Sequence, residues 1–425
     1  MTTSVIVVSY RPGDWLAPCL ASVAGQANQV IAVDNGSDGH VVSDVARRAG
    51  ADVVRLRRNM GFSGGFNAGL SKARGDVIAV LNDDAVAEPS WLPRAQAALA
   101  DPTVAAVTPK VLLAGWWGEV LLDDAPWSVP GDARPFGRRL TSVTVDGVEV
   151  LDRVLGGGVH RLEGVGAGDD VRPVPWRWSS GGKPFYVPLG EDAAGLVRVN
   201  RDPVELRAVC RVLNHAGLVL YRDGMAGEIG LGAPDDGRLD QAADRFGFSG
   251  TAPVFRAETL RRLGALAGPF FAYCEDVDWS LRAQLAGLRV VYEPGAVVRH
   301  RLSATSGGAH APHVRYLASR NATLTLVRNA PARVATEAVR ARLAPDADPA
   351  VRRGLQRRLP WAIASRRSLA LHWNLSPAEV WARWADTEVP WDQSPVKDGR
   401  SAATGQASLV EVSRQPATPL RPATT

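Results

Sequence analysis

The sequence predicts an α/β protein built on a mostly parallel sheet with helices on both faces. Residues 1–110 alternate short β-branched runs with helical stretches at regular spacing. A chain of 425 residues that is 46% hydrophobic and 22% charged is long and apolar enough to bury a sizeable core. The strand runs end on Asp, Asn and Gly clusters, and in such sheets ligands bind beyond the carboxyl ends of the strands.

Strands are expected over 4–8, 30–33, 52–56, 77–81 and 104–107, and helices over 15–26, 40–50, 65–74 and 90–100. From about residue 118 the rhythm stops while glycine, proline and tryptophan rise, so 118–206 reads as an inserted β-rich subdomain between 1–117 and 207–312. Within it, Asp146-Gly147 between two short β-branched runs signals a tight hairpin. Residues 313–391 read as basic amphipathic helices, with Val351, Leu355 and Leu359 on one face. Ser376-Pro377-Ala378-Glu379 has the form of a capping box opening a helix through Trp384. The Ser/Thr/Pro-rich tail, 392–425, is expected to be disordered.

Three cysteines, Cys19, Cys210 and Cys274, form neither a disulfide framework nor a zinc motif, which fits a reducing compartment. The sequence shows no signal peptide and no long apolar run, so a soluble cytoplasmic protein is the expectation. The net charge of +5 conceals an asymmetry. Residues 313–373 hold twelve arginines and three acids, an excess of +9 that leaves −4 on the rest. That segment fits peripheral contact with the inner face of a cell membrane, or equally a helical cap packed on the main domain; no nucleic-acid motif accompanies it.

Asp34, at the end of the second strand, suits either a hydrogen bond to a base or ribose or a turn that closes the strand. The glycine-rich run 59–69 opens a helix, where free N–H groups suit a diphosphate; a purely structural turn is the other reading. It is neither a Walker loop nor a dinucleotide fingerprint. Asn82-Asp83-Asp84 ends an apolar strand, unlike the other acidic pairs, and offers the oxygen ligands that Mg²⁺ or Mn²⁺ prefers. Glu275, Asp276 and Asp278 open a helix behind an aromatic run, so the cluster reads either as a charged first turn, with Asp278 and Arg282 paired, or as the seat of a general base.

In order, Val5-Ile6-Val7-Val8-Ser9-Tyr10, Val33-Asp34-Asn35-Gly36-Ser37, Asn59-x-Gly61-Phe62-x-x-Gly65-Phe66-Asn67-x-Gly69, Leu81-Asn82-Asp83-Asp84, Ser249-Gly250-Thr251, Phe270 through Arg282, and finally His300 resemble the family 2 glycosyltransferases of GT-A fold. The nearest branch resembles the rhamnosyltransferase and galactofuranosyltransferase-like enzymes. The resemblance implies inverting, metal-dependent transfer from a dTDP- or UDP-linked sugar to a saccharide or lipid-linked saccharide of the cell envelope. It also implies donor contacts at Tyr10, Asp34, Asn59, Gly61, Phe62, Asn67, Asn82 and Asp83, and Mg²⁺ or Mn²⁺ ligands at Asp84 and His300. Asp276, or less favourably Glu275, would be the base, with acceptor contacts at Gly250, Thr251, Asp278, Trp279 and Arg282. Asn82 departs from the family's D-x-D pattern, and the insertion has no counterpart in its minimal core. A sugar nucleotidyltransferase would need a glycine-dense loop after the first strand, which Tyr10-Arg11-Pro12-Gly13-Asp14 is not. A catalytically inactive saccharide-binding module would be expected to lack Asp84, Asp276 and Asp278, all of which are present.

Overall fold

The computed structural model describes residues 1–128, 134–160, 176–301 and 311–385. The expected tail, 392–425, lies outside the described residues. The first elements follow in strict alternation: β1 (Thr3–Ser9), α1 (Leu16–Ala24), β2 (Gln29–Asp34), α2 (Val41–Arg48), β3 (Asp52–Arg55), α3 (Gly61–Leu70), β4 (Val77–Asn82), β5 (Ala85–Ala87), α4 (Trp91–Ala98) and β6 (Val104–Leu113). After the irregular region come α5 (Ala257–Leu263), α6 (Glu275–Leu285), α7 (Pro312–Asn329), α8 (Ala332–Leu343), α9 (Pro349–Leu369) and α10 (Pro377–Trp384).

The sheet runs β3, β2, β1, β4, Val254–Arg256, β6, Arg289–His300, Ala243–Arg245. β1 to β4 are mutually parallel, Val254–Arg256 is antiparallel to both its neighbours, and Arg289–His300 returns parallel to β6. It is therefore a mixed α/β sheet. The chain order reverses between β1 and β4, the kind of switch point where a crevice opens beyond the strand ends.

Alternation along each strand divides the core into two layers. Val5, Val7, Ala79 and Leu81 face α1, α2 and α4, whereas Ile6, Ile78 and Val80 face α3, α5 and α6. Two glycines let α3 lie close to the sheet. A Cβ on Gly65 would meet Val8 Cγ1 at 2.5 Å and one on Gly69 would meet Ile6 Cγ2 at 2.6 Å.

Trp116–Val120, Phe185–Gly190 and Ala208–Cys210 form a separate antiparallel sheet, and Val143–Val145 pairs with Val148–Glu149 across Asp146-Gly147, both at positive φ as the hairpin requires. This part has its own core around Leu140, Val143, Phe185 and Val199. At the other end, α7 and α9 pack together. Val351 and Leu355 are buried, and Trp361, Trp373, Trp381 and Trp384 lie half-buried against the body. The apolar face of the basic segment is thus largely covered by protein. Two of its arginines, Arg320 and Arg328, are themselves buried. Ser376 and Glu379 make the capping box at α10. Among the described residues no helix is long and apolar enough to cross a membrane.

Candidate active site

The carboxyl ends of β1 and β4 meet at the switch point, where Ser9 Oγ donates to Asp83 Oδ2 at 2.6 Å. Burial pushes the Asp83 carboxyl up to about 6, against the pull of that hydroxyl, and the charge of Asp84 adds to the rise. One residue on, Asp84 Oδ1 stands 3.0 Å from His300 Nε2, both side chains buried. Strand pairing makes this meeting unavoidable: His300 pairs with Ala85, immediately after Asp84. On the far side of the imidazole, Nδ1 lies 2.7 Å from Asn214 Oδ1.

Among the described residues no group of three His, Cys, Asp or Glu side chains is arranged to hold a metal ion. The Asp84–His300 pair nevertheless fits two positions of a six-coordinate divalent ion. Ligands about 2.1 Å from a metal and at right angles stand about 3 Å apart. The remaining positions would fall to diphosphate oxygens and water.

The carboxylates expected on the acceptor side come from the start of α6. Before it the backbone takes three left-handed turns at residues with side chains, Phe271, Tyr273 and Cys274 (φ 71, 72 and 66). Such conformations need support from outside. α7 supplies it: Asn321 Nδ2 donates to the carbonyls of Phe270, Ala272 and Tyr273 at 3.0, 2.8 and 2.8 Å, and Arg320 donates to that of Phe270 at 2.9 Å.

Asp276 accepts from Gly250 N–H at 3.1 Å and Val277 N–H at 2.8 Å. Burial raises its carboxyl above the usual range despite those bonds. Glu275 is raised well above its usual value by burial first and by the charge of Asp276 second, and its Oε2 has no hydrogen-bond partner. Phe62, Gly250, Glu275 and Asp276 border one small recess that is otherwise apolar, walled by side chains such as Phe248 and Phe255. That recess is tied to the metal side because Asn82 N–H donates to Thr251 O at 2.9 Å, one residue from Gly250.

Several expected contacts lie elsewhere. Asp34 is 0% exposed; its carboxylate accepts from Ser37 N–H at 3.0 Å and Ser43 Oγ at 3.3 Å, with Arg55 alongside, so it closes the turn after β2 and does not face the crevice. Asn59 Oδ1 accepts from Gly61 N–H and Asn35 Nδ2. Gly61, at φ +71, is pressed against the Phe271 carbonyl, and Asn67 exchanges two hydrogen bonds with the Leu266 backbone. Gly61 and Asn67 thus join α3 to the loops before α6, and the Asn59 oxygen is taken up by its own turn and Asn35. Tyr10, Phe62, Asn82 and Asp83 are half-buried.

The acceptor assignments change similarly. Asp278 is fully buried, accepting from Arg328 Nε at 2.6 Å and Asn329 Nδ2 at 2.8 Å beside Arg282 Nε at 3.1 Å. Burial alone would raise its carboxyl, but the charges of Arg328 and Arg282 hold it below the usual value. Trp279 sits in the core against Phe248 and Phe255, its indole N–H donating to Gly264 O, and Arg282 donates to the carbonyls of Leu263, Gly264 and Ala265. Asp278, Trp279 and Arg282 therefore hold α6 in place from inside. Thr251 is buried, which leaves Gly250 as the acceptor-side residue lining the recess.

Residues without a sequence signal complete the site. Asn214 and Glu228 stand behind His300, and Arg320, Asn321 and Arg328 stand behind the acidic turn. Burial pushes the Glu228 carboxyl up to about 7, partly offset by the Ser249 hydroxyl.

Residues 4–117, which carry the switch point and the Asp83-Asp84 strand end, match the sequence model of glycosyl transferase family 2. An uncharacterized glycosyltransferase of Nostoc sp. is 32% identical over 101 residues, 22% of this chain; the match spans 31% of that relative's length. Among solved structures, GalNAc-T7 with UDP, GalNAc and Mn²⁺ superposes with a TM-score of 0.48 at 13% identity, covering 88% of this chain and 58% of that one. The mannosyltransferase PcManGT of Pyrobaculum calidifontis, in complex with GDP-Man and Mn²⁺, gives 0.37 at 15% identity, covering 90% and 78%.

Proposed function

We propose that this chain is a metal-dependent glycosyltransferase that moves a sugar, with inversion, from a nucleotide-diphosphate sugar to a hydroxyl of a saccharide or lipid-linked saccharide. The observation that carries the reading is the presence of two unlike acidic centres at neighbouring strand ends, linked through the Asn82 N–H to Thr251 O hydrogen bond. Asp84 and His300 stand at ligand spacing on one side, and the raised carboxyls of Glu275 and Asp276 stand behind Gly250 on the other. A bound Mg²⁺ or Mn²⁺ would neutralise charge developing on the leaving diphosphate. Asp84 and His300 would hold it, and Asp83, fixed by Ser9, is the adjoining residue at the same strand end.

Single displacement needs a base for the acceptor hydroxyl. Asp276 is the better candidate, because two backbone N–H groups favour its ionised form while burial strengthens its pull on a proton. Glu275, held more strongly neutral, would leave the charge on Asp276. A dTDP- or UDP-linked donor of a rhamnosyl or galactofuranosyl kind, and an acceptor in the cell envelope, form the narrower proposal, resting on the resemblance of the motifs. The test is a thermal-shift screen of UDP-, dTDP- and GDP-sugars with and without Mn²⁺. The expected result is metal-dependent stabilisation by one donor class, lost in Asp84→Ala; metal-independent stabilisation, or an undisturbed Asp84→Ala, would overturn the reading.

A further inference from the structure

Behind the Asp84–His300 pair runs an unbroken chain of hydrogen bonds. His300 Nδ1 lies 2.7 Å from Asn214 Oδ1, Asn214 Nδ2 donates to Glu228 Oε2 at 3.3 Å, and Ser249 Oγ donates to Glu228 Oε1 at 3.0 Å. The next residue, Gly250, donates its N–H to Asp276. One carboxylate thus joins both halves of the site, and nothing in the sequence marks it.

The order of bonds fixes the chemistry of the imidazole. An ionised Glu228 only accepts, so it holds the NH₂ end of the Asn214 amide and turns the amide oxygen towards His300. That oxygen in turn only accepts, so Nδ1 must carry a proton, and with a divalent ion between Asp84 and His300 the neutral ring would offer its Nε2 lone pair to that ion. This is the tautomer a metal ligand needs, and a partner on the second ring nitrogen is what holds a ligating histidine in it. We infer that Glu228 and Asn214 are positioning residues that set His300 in the metal-binding tautomer and orientation. The inference rests on the proposed metal-dependent reading of the site.

Glu228→Gln provides the test. A glutamine can donate to the Asn214 oxygen, which allows the amide to turn over and present its NH₂ to Nδ1. Asn214→Asp in the Glu228→Gln background restores an obligatory acceptor for Nδ1–H, and the glutamine NH₂ satisfies the new carboxylate. Mn²⁺ affinity is measured in full-length protein with UDP present, from the free-Mn²⁺ electron paramagnetic resonance signal at pH 8. At that pH the Glu228 carboxyl, held near 7, is mostly ionised. Glu228→Gln is expected to weaken Mn²⁺ binding about 10–100-fold, the range for partners of metal ligands, and the double variant to return most of it. Thermal melting establishes that each variant is folded. Wild-type affinity in Glu228→Gln, or a double variant no better than the single, overturns the inference while leaving the proposed function standing. Failure of the unaltered protein to bind Mn²⁺ overturns both.

Discussion

Glu275 and Asp276 are neighbours in sequence with different surroundings. Both Asp276 oxygens receive backbone N–H groups, whereas Glu275 Oε2 receives nothing. The unfolded chain ionises Glu275 near pH 4.3, and the folded chain does so only at much higher pH. Glu275 therefore adds to stability below its unfolded value, and that contribution is lost as pH rises through the folded value. Glu275→Gln removes the loss. Its melting temperature should equal that of the unaltered protein near pH 4 and exceed it at pH 8; a variant less stable at pH 8 would contradict the assignment. Asp278 has the opposite sign: its depressed carboxyl adds stability above the unfolded value, lost as pH falls through the folded one. The acidic triplet was visible in the sequence, but not which member faces the crevice. That depended on Arg328 and Asn329, fifty residues further along the chain, meeting Asp278 inside the fold.

At the scale of elements, the loop before α6 is shaped by a helix, α7, that follows the last strand of the main sheet in sequence. Three residues at positive φ within four positions are not a local preference of Phe, Tyr and Cys. They persist because Asn321 satisfies the Phe270, Ala272 and Tyr273 carbonyls with one amide. Asn321→Ala should destabilise the protein by about 1–3 kcal/mol, measured by urea unfolding, and should lower turnover more than donor affinity, because it loosens only the acidic side of the site. Equal losses in both would argue against a localised role. Strands β1, β2 and β4 are legible because each is a short apolar run ending in turn residues. The glycine-rich start of α3 misled in its purpose. Its spacing resembles a phosphate loop, yet Gly65 and Gly69 face β1 and Gly61 faces Phe271, so close packing accounts for them.

Across the whole molecule, the arginine-rich segment divides into two roles. Arg320 and Arg328 are drawn inside to hold the acidic turn, while Arg333, Arg340, Arg353, Arg357, Arg358 and Arg367 remain exposed. Because the nearby tryptophans and the α9 apolar face pack on the body, attraction to an anionic surface would be electrostatic and screened by salt. Co-sedimentation with anionic vesicles at low salt should therefore disappear at high salt. Binding that survives high salt would show an inserted apolar face instead. The charge asymmetry was readable from composition, but the division between inward and outward arginines required the packing of α7 against α6 and α9.

The central claim is that a buried acidic side and a metal-holding side act together, with Asp276 taking the acceptor proton. Its most direct test is Asp276→Asn with the donor that the binding screen identifies, measuring nucleoside diphosphate release alongside donor affinity by calorimetry. Turnover should fall by about 10²–10⁴-fold, the usual contribution of a positioned base, with donor affinity nearly unchanged. Wild-type turnover in Asp276→Asn would contradict the account.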